Sequence, residues 1–224
     1  MIVWLASGNI HKQAELASIL NAENGAGEGG SGVAEGYTIK TPDDAGLAFD
    51  PDETGSTFFE NALLKARELY RLLAERCPAP YRPGDPILAD DSGLCVDALD
   101  GRPGIFSARY GNIAGGKKLE AAERNARLLA ELGGNPRRSG RFVCAMVLLF
   151  CPERFYLAQE TLEGEIVKSP AHAAGTGGFG YDPVFFIPAL DRTAAELSEE
   201  EKNRVSHRGK AGKVIARMLR EMEL

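Results

Sequence analysis

The stretch LADDSGLCVDALDGRPGIFSARY, residues 88–110, constrains this chain more than any other part of it. Asp90 and Asp91 stand together at the end of a short apolar run and are followed at once by Ser92 and Gly93. Neighbouring carboxylates repel, so one of the two should have a raised pKa unless a cation lies close enough to neutralise both. Such a pair suits a site for metal and phosphate. It equally suits a strand that ends in an acidic turn, with Asp90 or Asp91 accepting backbone N–H groups. The rest of the chain has to decide between them.

With 224 residues, 44% hydrophobic and 26% charged, the chain can bury a substantial core and reads as an ordinary α/β domain, not a disordered or fibrous segment. Its formal net charge of -6 argues against a protein that coats nucleic acid, which needs a basic stripe to replace counterions. A local basic pocket for one polyphosphate remains open. The N-terminus, MIVWLASGNIHK, lacks the layout of a signal peptide, and no run is long enough to cross a bilayer, so a cytoplasmic protein without membrane partners is expected. Cys77, Cys95, Cys144 and Cys151 show no C-x-x-C spacing and read as reduced thiols instead of zinc ligands.

Residues 2–6 predict a buried strand, and apolar Leu16, Ile19 and Leu20 predict a helix through about Asn21. Residues 22–36 are glycine-rich without the Lys and Ser/Thr of a P-loop, and read as a surface loop. Residues 54–76 carry a helical period with Phe58, Ala62, Leu69 and Leu73 on one stripe, stopped by the proline-rich segment 77–86. Strands follow at 87–90 and 93–97, a helix at about 117–132, and a long antiparallel pair at 140–151 and 154–167 around a Pro152-Glu153 turn. VFFI at 184–187 is a further strand, and charged helical segments run from Ser198 to Glu223. Alternating elements plus a long hairpin predict a mixed central sheet with flanking helices in one domain over 1–224.

Four groups carry possible chemistry. In SGNIHK a strand runs into a helix that Asn9 can cap, and His11 and Lys12 fall in its first turn, where the dipole disfavours cations unless an anion is held there. In ETGSTFFENALLKAR, Asn61 and Lys65 share a helical face away from the Phe58/Ala62 stripe, Thr57 and Glu60 form a capping box, and Glu53 lies in the preceding loop. In GTGGFGYDPVFF the glycines at 175, 177, 178 and 180 let backbone approach a flat ligand, on which Phe179 or Tyr181 can stack while Asp182 accepts N–H groups. A tight turn between strands is the more frequent explanation of such glycines. In EEEKNRVSHRGKA, Ser206-His207-Arg208-Gly209 interrupts a solvated helix with a turn whose donors suit a purine 6-keto oxygen.

Taken in order from Ser7 to Ala211, SGNIHK, ETGSTFFENALLKAR, LADDSGLCVDAL, PGIFSARY, GTGGFGYDPVFF and SHRGKA resemble the inosine triphosphate pyrophosphatase family, also called the Ham1 or non-canonical purine NTP pyrophosphatases. The resemblance implies an elongated, two-lobed α/β fold with a nucleotide cleft, a homodimer, and magnesium-dependent hydrolysis of dITP, ITP and XTP to the monophosphate and pyrophosphate. It implies that Ser7, Gly8, Asn9, Ile10, His11 and Lys12 hold the triphosphate with help from Lys65. Glu53 and Asp91 would bind Mg2+, with Asp91 as proton acceptor and Ser92 touching substrate. Phe179, Gly180, Tyr181, Asp182, Lys202, His207 and Arg208 would line the base and sugar pocket. The segments 22–36 and 77–86 read as insertions, and Ser7 stands where the family often has threonine. Two alternatives remain: a house-cleaning pyrophosphatase for other modified nucleotides, against which SHRG argues, and a non-catalytic nucleotide-binding module, in which Glu53 or Asp91 should be replaced.

Overall fold

Apolar runs buried on both faces need helices on both faces, and β1 (Ile2–Leu5) shows how this chain supplies them. Val3 and Leu5 pack with Leu16 and Leu20 of α1 (Ile10–Asn24) and with Ile215 and Leu219 of α5 (His207–Met222). Trp4, pointing the other way, packs with Ala62, Ala66, Leu69 and Leu73 of α2 (Phe58–Arg76). The same alternation splits β4 (Ser139–Cys151): Cys144, Met146 and Leu148 join the first cluster, and Val147 and Leu149 the second.

The structure is a computed structural model that describes residues 1–24, 36–76, 79–112 and 119–222, the side chains of Ile10, His11, Glu23 and Asn24 excepted. Most of the 22–36 segment, Cys77 at the head of the proline-rich segment, and the first residues of the helix expected from 117 therefore lie outside the described residues. The remaining elements are β2 (Thr38–Lys40), β3 (Ile87–Val96), α3 (Ala121–Leu132), β5 (Arg154–Ile166), β6 (Phe185–Ile187), β7 (Arg192–Thr193) and α4 (Glu199–Val205). The strands form one sheet in the order β2-β1-β3-β4-β5-β6-β7. It is mixed as expected: β1 runs parallel to β2 and β3, and β6 antiparallel to β5 and β7.

The chain forms two compact units. One comprises Met1–Asp91, Cys144–Glu160 and Arg208–Leu224, and holds the two clusters around β1. The other comprises Ser92–Val143 and Thr161–His207. Its core joins Leu94, Leu128, Phe142, Ile166 and Phe185, drawn from β3, α3, β4, β5 and β6.

Two expectations need correction. The strands predicted at 87–90 and 93–97 are one continuous strand, β3, so Asp90 and Asp91 lie inside it and not at its end. Both carboxylates find partners on other elements, so no turn is needed to satisfy them. Asn61 and Lys65 share one face of α2, and both are buried beside Ala62 and Ala66, because the buried face is wider than the apolar stripe. Secondly, His207 and Arg208 do not form a turn: Ser206, with extended φ/ψ of -68° and 158°, is the break, and His207 opens α5. The capping box of α2 forms as read, with Glu60 Oε2 accepting from the Ser56 and Thr57 N–H groups and Thr57 Oγ1 accepting from Glu60 N–H.

Candidate active site

Successive side chains of a strand point to opposite faces, so the acidic pair in β3 is divided between two environments. Asp90 turns toward α1 and α5. Its Oδ2 lies 3.0 Å from Lys12 Nζ and 3.4 Å from both Nε and Nη2 of Arg208, while Arg208 Nη1 donates to Glu15 Oε2 at 2.7 Å. Burial opposes the ionised form of Asp90, but the charges of Lys12, Arg208 and Lys65 outweigh it and hold the carboxyl far below its usual range. Two cations in the first turns of their helices are thus compensated from within the protein.

Asp91 turns toward α2. Its Oδ2 accepts a hydrogen bond from Asn61 Nδ2 at 3.1 Å, and its Oδ1 lies 3.6 Å from Lys65 Nζ. Lys65 also donates to Glu53 Oε1 at 2.7 Å, which brings the second acid onto the same ammonium. Burial raises the Asp91 pKa and the charge of Glu53 adds to the rise, against the opposing pull of Lys65 and Asn61. Burial alone would push Lys65 down; the carboxylates of Asp91, Asp90 and Glu53 outweigh it and hold the ammonium above its usual range. One carboxyl of the pair is therefore raised, as the sequence suggests, but burial and Glu53 cause it.

The loop from β1 into α1 builds its own cap. Ser7 Oγ accepts from Asn9 N–H at 3.1 Å, and Asn9 Oδ1 accepts from Lys12 N–H at 3.4 Å. Gly8 and Asn9 are exposed, and Lys12 is half-buried against Asp90. The backbone of Ile10 and His11 lies in the first turn of α1, but their side chains lie outside the described residues.

In the second unit, Asp182 Oδ2 accepts from the Phe179 N–H and from Lys202 Nζ, each at 2.7 Å. The Lys202 ammonium also lies 4.9 Å from the centre of the Phe179 ring, and Phe179 is 43% exposed. Tyr181 is buried instead, its hydroxyl donating to the Ser107 carbonyl at 3.0 Å, so of the two rings only Phe179 offers a face to a ligand. The Gly180 carbonyl accepts from Asn125 Nδ2. The glycines serve the protein's own packing: a Cβ on Gly178 would stand 2.1 Å from Asp182 Oδ2, and one on Gly175 2.3 Å from the Ala195 carbonyl carbon. The His207 ring stacks on Phe142, with centroids 5.0 Å apart and planes 15° from parallel. Ser92 is half-buried in β3.

The structure therefore gathers Lys12, Glu53, Lys65, Asp91 and Arg208 in one unit and Phe179, Asp182, Lys202 and His207 in the other. Arg208, read as a donor to the base, is committed to Asp90 and Glu15 and is 1% exposed. Sequence reasoning gave Glu15 no role, although a carboxylate beside apolar Leu16, three positions after a first-turn lysine, is the available signal. Among the described residues no group of three or more His, Cys, Asp or Glu side chains is placed to hold a metal. Two carboxylates that converge on one ammonium suit magnesium nonetheless, since that ion takes one or two carboxylates and completes its shell with water and substrate phosphate.

The sequence model of the Ham1 family matches residues 3–218, which contain all of the motifs above. The dITP/XTP pyrophosphatase of Treponema denticola is 46% identical over 220 residues, covering 98% of this chain and 99% of that protein. The dITP/XTP pyrophosphatase of Ralstonia nicotianae is 42% identical over 223 residues, covering 99% and 98%. The solved structure of the Staphylococcus aureus Ham1 protein matches with a TM-score of 0.78 at 32% identity over 99% of this chain and all of that one. A HAM1 protein from Coxiella burnetii matches with a TM-score of 0.77 at 36% identity, covering 99% of each chain. With sequence and fold alike matched from end to end, the chain belongs to the Ham1 family.

Proposed function

We propose that this protein hydrolyses non-canonical purine nucleoside triphosphates, dITP, ITP and XTP, to the monophosphate and pyrophosphate, with Asp91 as the proton acceptor. The observation that carries this assignment of roles is the convergence of Asp91 and Glu53 on Lys65. It places two acids and a cation together in the unit that also contains the N-terminus of α1. A carboxylate placed there can take the proton of an attacking water. Asn61 orients it. The N-terminus of α1, with Ser7, Asn9 and Lys12 at its first turn, suits the phosphate chain.

Glu53 and Asp91 would hold magnesium, which when bound neutralises phosphate charge and acidifies water. Lys65 then serves the triphosphate. The exposed face of Phe179 stacks on the base, and Asp182, Lys202 and His207 read its edge. Arg208 contributes from the head of α5 while its guanidinium stays locked to Asp90 and Glu15. A site built to hydrogen-bond a 6-keto purine rejects a 6-amino one strongly, by about 10⁴-fold at best. Assembly as a homodimer and a cytoplasmic setting belong to the same reading; no helix among the described residues is long and apolar enough to cross a membrane.

The test is pyrophosphate release from ITP, XTP, GTP and ATP at equal concentration, with magnesium and with EDTA. Fast magnesium-dependent release from ITP and XTP, with GTP and ATP far behind, is expected. Release from none of them would leave a nucleotide-binding module without this chemistry.

A further inference from the structure

Asn61 is the one polar side chain of α2 that hydrogen-bonds both to the loop carrying Glu53 and to the strand carrying Asp91 without carrying a charge. Its Oδ1 accepts from the Gly55 N–H at 2.8 Å, and its Nδ2 donates to Asp91 Oδ2 at 3.1 Å. Its exposure is 0%. The chemistry of the partners fixes the amide's orientation: a backbone N–H can only donate and an ionised carboxylate can only accept, so the oxygen must face Gly55 and the nitrogen Asp91. Asparagine alone among residues of this size supplies both. Aspartate would set a second negative charge against Asp91, and leucine would remove both hydrogen bonds.

The surroundings hold this amide in place. The capping box of Thr57 and Glu60 fixes where α2 begins, and the Asn61 N–H follows with a bond to the Thr57 carbonyl at 3.1 Å. Gly55 is pressed so close that a Cβ there would lie 2.7 Å from Asn61 Oδ1. One turn further on, Lys65 bridges the same two partners through charge. A divalent cation competes with that ammonium for the carboxylates; it does not compete in the same way with a neutral amide.

We infer that Asn61 is a positioning residue that sets the distance between the Glu53 loop and Asp91, and so holds the acidic pair in register for catalysis. This rests on the function proposed above. The test uses the full chain and two variants, Asn61→Ala and Asn61→Asp. The aspartate keeps an acceptor for the Gly55 N–H but has no donor for Asp91.

Three readouts are taken: amide hydrogen exchange at Gly55, binding of Mn2+ alone followed by electron paramagnetic resonance, and kcat and KM for ITP. In Asn61→Ala, Gly55 exchange should quicken by about tenfold or more, the loss of one ordinary hydrogen bond. Mn2+ binding should weaken, and kcat should fall by about 10²-fold with KM changed far less. In Asn61→Asp, Gly55 should stay protected while kcat still falls. A merely structural asparagine would lower thermal stability and leave kcat of the folded protein intact. Unchanged Gly55 exchange in Asn61→Ala, or kcat within about twofold of the parent in both variants, overturns the inference. Should the parent release pyrophosphate from no nucleotide, the function proposed above fails, and Gly55 exchange with Mn2+ binding still decides whether Asn61 sets the register.

Discussion

Asp90 and Asp91 are joined by one peptide bond and titrate in opposite directions: Lys12 and Arg208 hold the first far below its usual range, and burial with Glu53 raises the second. The strand pleat separates them, so each answers to its own face. The two should therefore respond oppositely to the same substitution. Asp90→Asn leaves Arg208 and Lys12 without their buried anion and should cost about 3–5 kcal/mol. Asp91 binds its proton more tightly folded than unfolded, so its ionised form weakens the fold at neutral pH, and Asp91→Asn should leave stability unchanged or increase it. The same Asp91→Asn change should reduce turnover by about 10²- to 10⁴-fold. Urea melts at pH 7 with pyrophosphate-release assays measure both; greater destabilisation by Asp91→Asn than by Asp90→Asn would contradict the division of faces.

Gly178→Ala should disable the second unit's polar group without touching Asp91. Gly178 has φ +71°, and an added Cβ would collide with Asp182 Oδ2 at 2.1 Å and Lys202 Nζ at 2.9 Å. Breaking the Asp182–Lys202 pair should raise KM for ITP with kcat changed less. An unchanged KM would mean that this pair does not read the base.

Phe179 and Tyr181 are two residues apart and should separate by function. Tyr181→Phe removes the bond to the Ser107 carbonyl and should cost about 1 kcal/mol of stability with no change in kcat/KM. Phe179→Ala, at an exposed ring, should change stability by about 0.5 kcal/mol or less, yet raise KM for ITP about 5- to 100-fold through lost stacking. Matched thermal melts and kinetics would reveal any reversal of this pattern.

Glu201 predicts an acid transition at the start of α4. Bonds from Arg192 and from the Ser198 N–H lower its pKa from 4.5 to about 2. A lowered carboxyl contributes stability above its unfolded pKa and loses it as pH falls through the folded one, so the Ser198 cap should loosen between pH 4.5 and about 2. Titrating the Glu201 side-chain carbon by NMR gives the midpoint; a value near 4.5 would show that the Arg192 pair does not hold it.

Local signals were legible where the partners are local. The hairpin predicted at 140–151 and 154–167 is found at Ser139–Cys151 and Arg154–Ile166, and Thr57 and Glu60 cap α2 as their spacing implies. Long-range partners were not legible. DDSG reads as a turn until Lys12, Asn61, Lys65 and Arg208 are brought to it. Arg208 stands 118 residues from Asp90, so within its own charge-rich segment nothing distinguishes it from a solvated arginine. Gly175 and Gly178 read as room for a ligand, but their neighbours are Ala195 and Asp182. A glycine's missing Cβ does not say what fills the space.

The interleaving of the two units bears on how the protein is made. The faces of β1 and α1 that carry Val3, Leu5, Leu16 and Leu20 are covered partly by Ala211, Ile215 and Leu219 of the last helix. On the ribosome those first apolar surfaces stay partly uncovered until almost the whole chain has emerged. A message truncated anywhere before Ala211 would release a polypeptide with its oldest hydrophobic face incompletely buried, a substrate for chaperones and proteases and prone to aggregate.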